Sequence, residues 1–515
     1  MTLPAGPPVA EMIDPGRGDP GGSGRRGGLL YLSATLLSQV FALARYVVLA
    51  RLLGPQQLGL AAAMTVTAGF FDLISDTGSD RFIIQDRDGD SPAVQRLVQL
   101  VLLGRGALVG LGVLIFAVPV AGFYGTPALA VGLATMALSP LIGGLLHLDI
   151  RRAQRQHDFR GEAICMIAAE SAGLFGAVLA ALLSPTFMAV AYGLITRSVV
   201  LVICSQLLAR RPYRLGWDAV QAPRLARFAA PLMLNGLMLF IVSQGDRVLV
   251  GHQLGLTSLG YYSAIILLIY YPSSVLLTYM HALFTPLIAG KRDDPAARDR
   301  MSDLLGGQTL LLALAMSAGF ALVAPPLVPV LFGARFAQSA LLISLVGVLQ
   351  TTRFMLNWPS TTSLAIGRSD TLMFSNMAHI LIFPGAFAGL MMIGGITGIV
   401  GGFLAGEVVA AAIALILLNR ATGRAMSTGF DRLAALVTGN ALVVGWTIVL
   451  GRSAEEIWRW PTMVALLIAT LGLLGWLARR EAVVVAEAVS VVRRVVASSR
   501  LRIGRVQILT GKNSM

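Results

Sequence analysis

The sequence predicts an all-α polytopic membrane protein: about 14 transmembrane helices, with two parallel six-helix bundles around a central cavity and a C-terminal helix pair. Three observations predict it. First, of 515 residues 56% are hydrophobic and 13% charged, with mean hydropathy +0.75. That is about half the charged share of a soluble domain, too little polar surface for a water-exposed globule. Second, apolar runs of about 20 residues recur along the chain, each long enough to cross a bilayer core as a helix. The alternation of a membrane barrel is absent. Third, one phrase occurs twice: "ARYVVLARLLGPQQLGLAAA" from Ala44 and "GDRVLVGHQLGLTSLGYYSA" from Gly245.

Taken in order, residues 1–28 are rich in Gly and Pro and lack an apolar period, which predicts a disordered tail. The small residues Ala42–Ala44 resemble a cleavage site, but the apolar run continues through them, against a cleaved signal peptide. Spans are expected at 29–53, 58–75, 97–122, 128–149, 163–183 and 186–209, forming an N-terminal bundle over 29–209. A linker over 210–227 follows. The second bundle, 228–418, holds spans at 228–254, 259–284, 304–331, 339–365, 371–393 and 396–418. The extra pair is 433–450 and 462–477, within 433–477, before a basic tail over 478–515.

With the N-terminus inside, alternate connections such as "RRAQRQHDFR" (151–160) and "GKRDDPAARDR" (290–300) become cytoplasmic. Of 40 Lys and Arg, 31 then lie inside, 4 outside, counting Arg51 at the outer end of the first span, and 5 deeper within spans. This is the positive-inside pattern, with both termini cytoplasmic. It accounts for the net charge of +14 through topology and anionic lipid rather than nucleic acid. The Val- and Arg-rich segment 481–505 reads either as an interfacial helix or as a weakly ordered basic tail. Cys165 and Cys204 both lie in apolar runs, so neither a disulfide framework nor a metal site is expected, and the sequence carries no CxxC, HExxH, P-loop or GxSxG.

The repeated phrase aligns with a shift of 201: Leu53-Gly54 on Leu254-Gly255 and Leu58-Gly59 on Leu259-Gly260, with Arg45 and Arg247 one residue out of register. A Gly at a helix end accepts the left-handed conformation that closes it. A second Gly lets helices approach closely. The copies begin the first and seventh spans, so the halves are parallel repeats about an axis along the membrane normal. Two such bundles can rock about a central cavity, which suits a transporter.

The opening "ARYVVLARLLGPQQLGLAAAMTVTAGFFDLISDTGSDRFIIQ" resembles that of the polysaccharide-transporter (Wzx-like) family of the multidrug/oligosaccharidyl-lipid/polysaccharide exporter superfamily. Arg45, Leu53-Gly54-Pro55, Gly59 and the Asp76-Thr77-Gly78 turn carry the match. "GDRVLVGHQLGLTSLGYYSAI", "HALFTPLIAG" and "VLFGARFAQSALLI" extend it over roughly 29–450, while Arg81 and "QDRDGD" are more polar than the family pattern. The resemblance implies a flippase of surface polysaccharide biosynthesis. Its implied substrate is an undecaprenyl-diphosphate oligosaccharide, moved from the inner to the outer leaflet of a bacterial cytoplasmic membrane. Glycosyltransferases and a polymerase are the implied partners. No cofactor and no covalent chemistry are implied.

Ionised side chains inside the spans usually face a cavity or a partner. The candidates are Arg45, Arg105, Arg197, Arg247 and Arg353, with Glu170, Asp246 and Glu407. Surplus guanidinium suits an anionic head group, because Arg grips phosphate through paired hydrogen bonds. The tenth span places Gln350, Arg353, Asn357, Ser360 and Thr361 on one face, which reads as a cavity lining ahead of helix-to-helix hydrogen bonding. Pro359 frees carbonyls there. Arg45 and Arg247 either contact substrate or snorkel outward. Arg105 reads as an inner-interface anchor, and Asn235 as a polar member of the seventh span. Arg197 contacts substrate or pairs with Glu170. Glu407, Asp246 and Glu170 are the ion-coupling candidates. Tyr261 and Tyr262 read as interface aromatics.

The substrate-binding candidates are therefore Arg353, Asn357, Gln350, Arg45, Arg247, Arg197 and Asn235, with no metal ligand. A cation-coupled multidrug exporter of the superfamily would favour intramembrane carboxylates over arginine. A lipid II flippase shares the chemistry. A membrane enzyme would want polar groups outside the membrane, where Glu455 and Glu456 are the acids found.

Overall fold

The computed structural model describes residues 23–156, 158–451, 459–482 and 484. Among them the regular structure is helical, without strands. The N-terminal half contains α1 (Ser23–Ile74), α2 (Ser79–Gln85), α3 (Pro92–Phe123), α4 (Ala128–Met136), α5 (Leu138–Gly143), α6 (Asp149–Gln154), α7 (Arg160–Leu183) and α8 (Met188–Leu208). The second half runs through α9 (Ala222–Ala289), α10 (Pro295–Phe332), α11 (Ala340–Met355), α12 (Asn357–Ala365), α13 (Ser369–Ala378), α14 (Ile382–Met392) and α15 (Gly395–Thr422). The final pair is α16 (Phe430–Gly451) and α17 (Arg459–Arg480).

α1 has 52 residues and α9 has 68. At about 1.5 Å per residue each far exceeds a ~30 Å hydrocarbon core, so each must fold back. Both do so at the duplicated glycine. Gly54 has φ 77 and ψ 174, and Gly255 has φ 80 and ψ 169. Only Gly occupies this region without strain, and the repeated phrase thus encodes one turn twice.

Eleven helices among the described residues are long and apolar enough to cross a membrane, where fourteen spans were expected. The difference lies in α1 and α9, each counted whole across its glycine break, and in Ala128–Gly143, too short to qualify. α1 begins at Ser23, inside the tail expected for 1–28, and residues 1–22 lie outside the described set. Glu455 and Glu456, and the interfacial reading of 481–505 beyond residue 484, also lie outside it.

The second duplicated glycines join the halves. A Cβ on Gly59 would collide with the Leu256 carbonyl, and one on Gly260 with the Pro55 carbonyl. Under the shift of 201 these contacts exchange with each other, so the crossing is two-fold symmetric. Nearby, Arg51 reaches across to α10, its Nε donating to the Leu331 carbonyl at 2.6 Å. That carbonyl belongs to the negative end of a helix, where a cation is favoured. At the other end of the same arm, a Cβ on Gly236 would strike the Leu73 carbonyl.

Polarity and burial are inverted relative to a soluble protein. In the most apolar stretch of Ala340–Ala365, the less apolar of the two spans compared, 72% of the residues are buried, whereas in that of the more apolar Pro461–Arg480 only 6% are. A lipid-facing helix needs only apolar surface, while a central one can satisfy polar groups on its neighbours. α11 and α12 meet at Leu356, one turn before Pro359, whose missing N–H interrupts the ladder.

The connection between the halves is held by ions. Arg211 and Arg152 both reach Asp90, at 3.4 and 2.8 Å, and Arg224 at the start of α9 pairs with Asp86 and Asp88 at 2.8 and 2.6 Å. The Arg152 hydrogen bond, partly opposed by burial, holds the Asp90 carboxyl below its ordinary value, and the Arg224 hydrogen bond does the same to Asp88. A depressed carboxylate contributes stability above its unfolded pKa, and that stability is lost as pH falls through the folded one. The linker should therefore stay protected from hydrogen exchange at about pH 5–8 and open only in acid below the ordinary carboxylate range of ~4. Opening at neutral pH would contradict this.

Candidate functional site

A hollow of about 200 Å³ lies where both arms of α1, both arms of α9 and α8 converge. Arg45 and Tyr46 face it from one half, and Arg247, Ser263 and Tyr271 from the other. None of its lining residues is acidic. The Tyr46 hydroxyl, Arg247 Nε and Ser263 Oγ are buried there without hydrogen-bond partners. Unpaired buried polar atoms are costly, and these three, each able to donate, belong to residues that line one space. Arg247 is held by its Nη1, which donates to Gln244 Oε1 at 2.8 Å.

Behind this hollow, Arg45 Nη1 donates to Glu170 Oε2 at 3.0 Å, and Arg197 Nε donates to Glu170 Oε1. One carboxylate thus holds two guanidinium groups. Glu170 and Arg197 face a second hollow, of about 380 Å³, within the N-terminal half. Arg197 is thereby paired with Glu170, one of the two readings its sequence allowed.

In the other half the charges are reversed. Arg353 Nη1 donates to Asp246 Oδ2 at 2.8 Å and its Nε to Glu407 Oε1 at 2.6 Å. Tyr262 donates to the same Asp246 oxygen at 2.9 Å, and His379 Nδ1 lies 3.1 Å from Glu407 Oε2. One guanidinium here serves two carboxylates, of which Glu407 is fully buried and Asp246 1% exposed. Under the repeat shift Arg45 falls on Asp246 and Tyr46 on Arg247. Equivalent positions of α1 and α9 thus contribute to an ion network, half-buried in the first half and buried in the second, and to a hollow-facing donor in each half, with the network's central charge inverted.

Several expectations are corrected by this geometry. Arg353 is not an open guanidinium in a cavity but the hub of a buried network, because two acids from other helices reach it. Asn357 is 6% exposed and its Nδ2 donates to Met280 Sδ of α9 at 3.6 Å, while Thr361 Oγ1 lies 3.0 Å from His281 Nδ1 of the same helix, so this face of the tenth span is a helix-to-helix contact. Gln350 and Asn235 line neither hollow. Tyr262 is fully buried rather than interfacial. Arg105, for which no substrate contact was expected, donates to the exposed Asp72 carboxylate at 2.6 Å. The structure brings Arg45 and Arg247 to one hollow, joins Arg197 to Arg45 through Glu170, and leaves Arg197 and Arg353 out of that hollow's lining. Tyr46 and Ser263 were missed; the alignment of Tyr46 with Arg247 was the available signal.

A profile of the family described as polysaccharide biosynthesis protein matches residues 48–341, more than half of the chain. The chain belongs to this family. The chain is 27% identical over 294 residues to the succinoglycan biosynthesis transport protein ExoT of Rhizobium meliloti. That match covers 57% of this chain and 59% of the relative, so the chain spans less than two thirds of that protein's length. It is 25% identical over 383 residues to the lipopolysaccharide biosynthesis protein WzxC of Escherichia coli, covering 73% of this chain and 77% of WzxC. Two solved structures share the family member's fold. An inward-facing multidrug resistance MATE family transporter of the MOP superfamily aligns with TM-score 0.59 at 15% identity, over 79% of this chain and 98% of its own. The lipid II flippase MurJ, in an inward closed conformation, aligns with TM-score 0.59 at 13% identity, over 88% and 99%.

Proposed function

We propose that this chain flips an undecaprenyl-diphosphate-linked oligosaccharide from the inner to the outer leaflet of a bacterial cytoplasmic membrane, both termini inside, for surface polysaccharide biosynthesis. The observation that carries it is the acid-free hollow between the halves, where Arg45, Arg247, Tyr46 and Ser263 present donors. A diphosphate offers only acceptors at neutral pH and answers those donors. The lipid tail stays in the bilayer, and the halves rock about the Gly59–Gly260 crossing. No covalent step is assigned to the protein. The partners are the glycosyltransferases that build the precursor and the polymerase that consumes it. In the second half, Asp246 and Glu407 remain the coupling groups of this proposal: two carboxylates share one arginine, and a proton taken up there would neutralise the excess. Glu170 is saturated by two arginines and fits that role less well. A cationic drug would meet two arginines and no acid in the hollow, which speaks against the multidrug reading.

Inorganic diphosphate binding to the purified chain tests this. Arg247→Gln and Tyr46→Phe should each weaken it, the former by at least about tenfold, as for a lost charge-assisted hydrogen bond. Absence of binding by the wild-type chain, or indifference to Arg247→Gln, would overturn the anion site.

A further inference from the structure

The second hollow differs in chemistry from the first. Its walls come from α1, α6, α7 and α8, and Asp80 also faces it from α2. Three of its ionisable residues are carboxylates, Asp80, Glu162 and Glu170, against two arginines, Arg151 and Arg197. A phosphate is disfavoured there. Three buried polar atoms in it lack partners: Glu162 Oε2, an acceptor, with Arg151 Nε and Ser38 Oγ, which donate. Glu162 is 3% exposed and Ser38 6%, so solvent hardly reaches them. Glu162 is fixed from behind, because its Oε1 accepts from Arg151 Nη1. The space thus asks for a ligand that donates and accepts over short distances, without net negative charge. A sugar hydroxyl does both at a single oxygen. At about 380 Å³ the hollow falls within the ~300–1,000 Å³ of small-molecule sites. The Arg45–Glu170–Arg197 bridge links its wall to that of the donor-lined hollow: Arg45 faces one, Glu170 and Arg197 the other.

We propose that this second hollow is a saccharide subsite, in which Glu162 and Ser38 read hydroxyls of an uncharged sugar while the anion-binding hollow beyond the bridge holds the diphosphate. This rests on the flippase reading above and deepens it, since it assigns glycan selectivity to the N-terminal half alone. Arg151, which holds Glu162 through Oε1, is a positioning residue.

The test compares binding of undecaprenyl diphosphate with that of undecaprenyl diphosphate bearing one glucose, galactose or N-acetylglucosamine, to the full chain in nanodiscs by native mass spectrometry. The wild-type chain should prefer at least one sugar-bearing lipid by about tenfold, the worth of one or two hydrogen bonds. Glu162→Gln and, separately, Ser38→Ala should erase the preference and leave the bare lipid bound within about twofold. Arg247→Gln should weaken all of the lipids alike. Equal wild-type affinity for every lipid, or a preference that survives both Glu162→Gln and Ser38→Ala, would overturn the subsite. Unaltered binding in Arg247→Gln would instead overturn the diphosphate site and leave the sugar preference standing.

Discussion

Arg353→Ala should largely abolish folded protein in the membrane rather than yield an inserted but inactive transporter. The substitution strands Asp246 and Glu407, 1% and 0% exposed, without their shared guanidinium. Breaking a buried ion pair by removing one partner costs about 3–5 kcal/mol, a large part of a typical domain's net stability of ~5–15 kcal/mol. This reverses the outcome that a cavity-lining arginine would give, which is normal insertion with lost flipping. The check is detergent-solubilised yield and melting temperature of Arg353→Ala beside the triple variant Arg353→Met, Asp246→Asn, Glu407→Gln. The triple removes every charge of the network and should recover much of the lost stability, since neutral replacements of buried ion networks are often tolerated. A stable single variant would show that the network is not what holds these helices together.

Gly59→Val should drive the halves apart at the symmetric crossing. The added Cβ falls on the Leu256 carbonyl, which is backbone and cannot swing away like a side-chain tip. Overpacking of this kind costs about 1–3 kcal/mol, and each ~1.4 kcal/mol is a tenfold change in population. Cysteines placed at Gln56 and Thr257, equivalent positions just beyond the contact residues, would report it in a background with Cys165 and Cys204 replaced by serine. Their cross-linking should slow at least about tenfold in Gly59→Val and, by the symmetry, to a similar degree in Gly260→Val. Unchanged cross-linking in both would show that the glycine crossing does not hold the halves in contact.

What the sequence disclosed was local. The turns at Gly54 and Gly255 were readable because a positive φ between two apolar runs admits essentially one residue type. The second glycines were readable because the duplication repeated them at constant spacing. What it withheld was pairing across helices. Glu407 lies 54 residues beyond Arg353 and Asp246 107 before it. No helical period connects residues so far apart, because rotation of one helix against another is set by packing. Counting charges along the spans gave an arginine surplus without saying which guanidinium was already engaged. The polar stripe of the tenth span was real, but polarity in a membrane helix marks a face turned from lipid and does not say whether water or protein lies opposite. The single-residue offset between Arg45 and Arg247 held more than it seemed to: Arg45 aligns with Asp246, the inverted member of the other network, and Tyr46 with Arg247, its counterpart in the hollow.

The most direct measurement is transport itself. The purified chain, reconstituted in liposomes with undecaprenyl-diphosphate-linked oligosaccharide in both leaflets, is assayed by enzymatic capture of the glycan exposed outside. The account predicts that the wild-type chain renders the inner pool accessible and that Arg247→Gln does so far more slowly. Capture stopping at the outer pool in wild-type liposomes, or identical rates with and without Arg247, would contradict it.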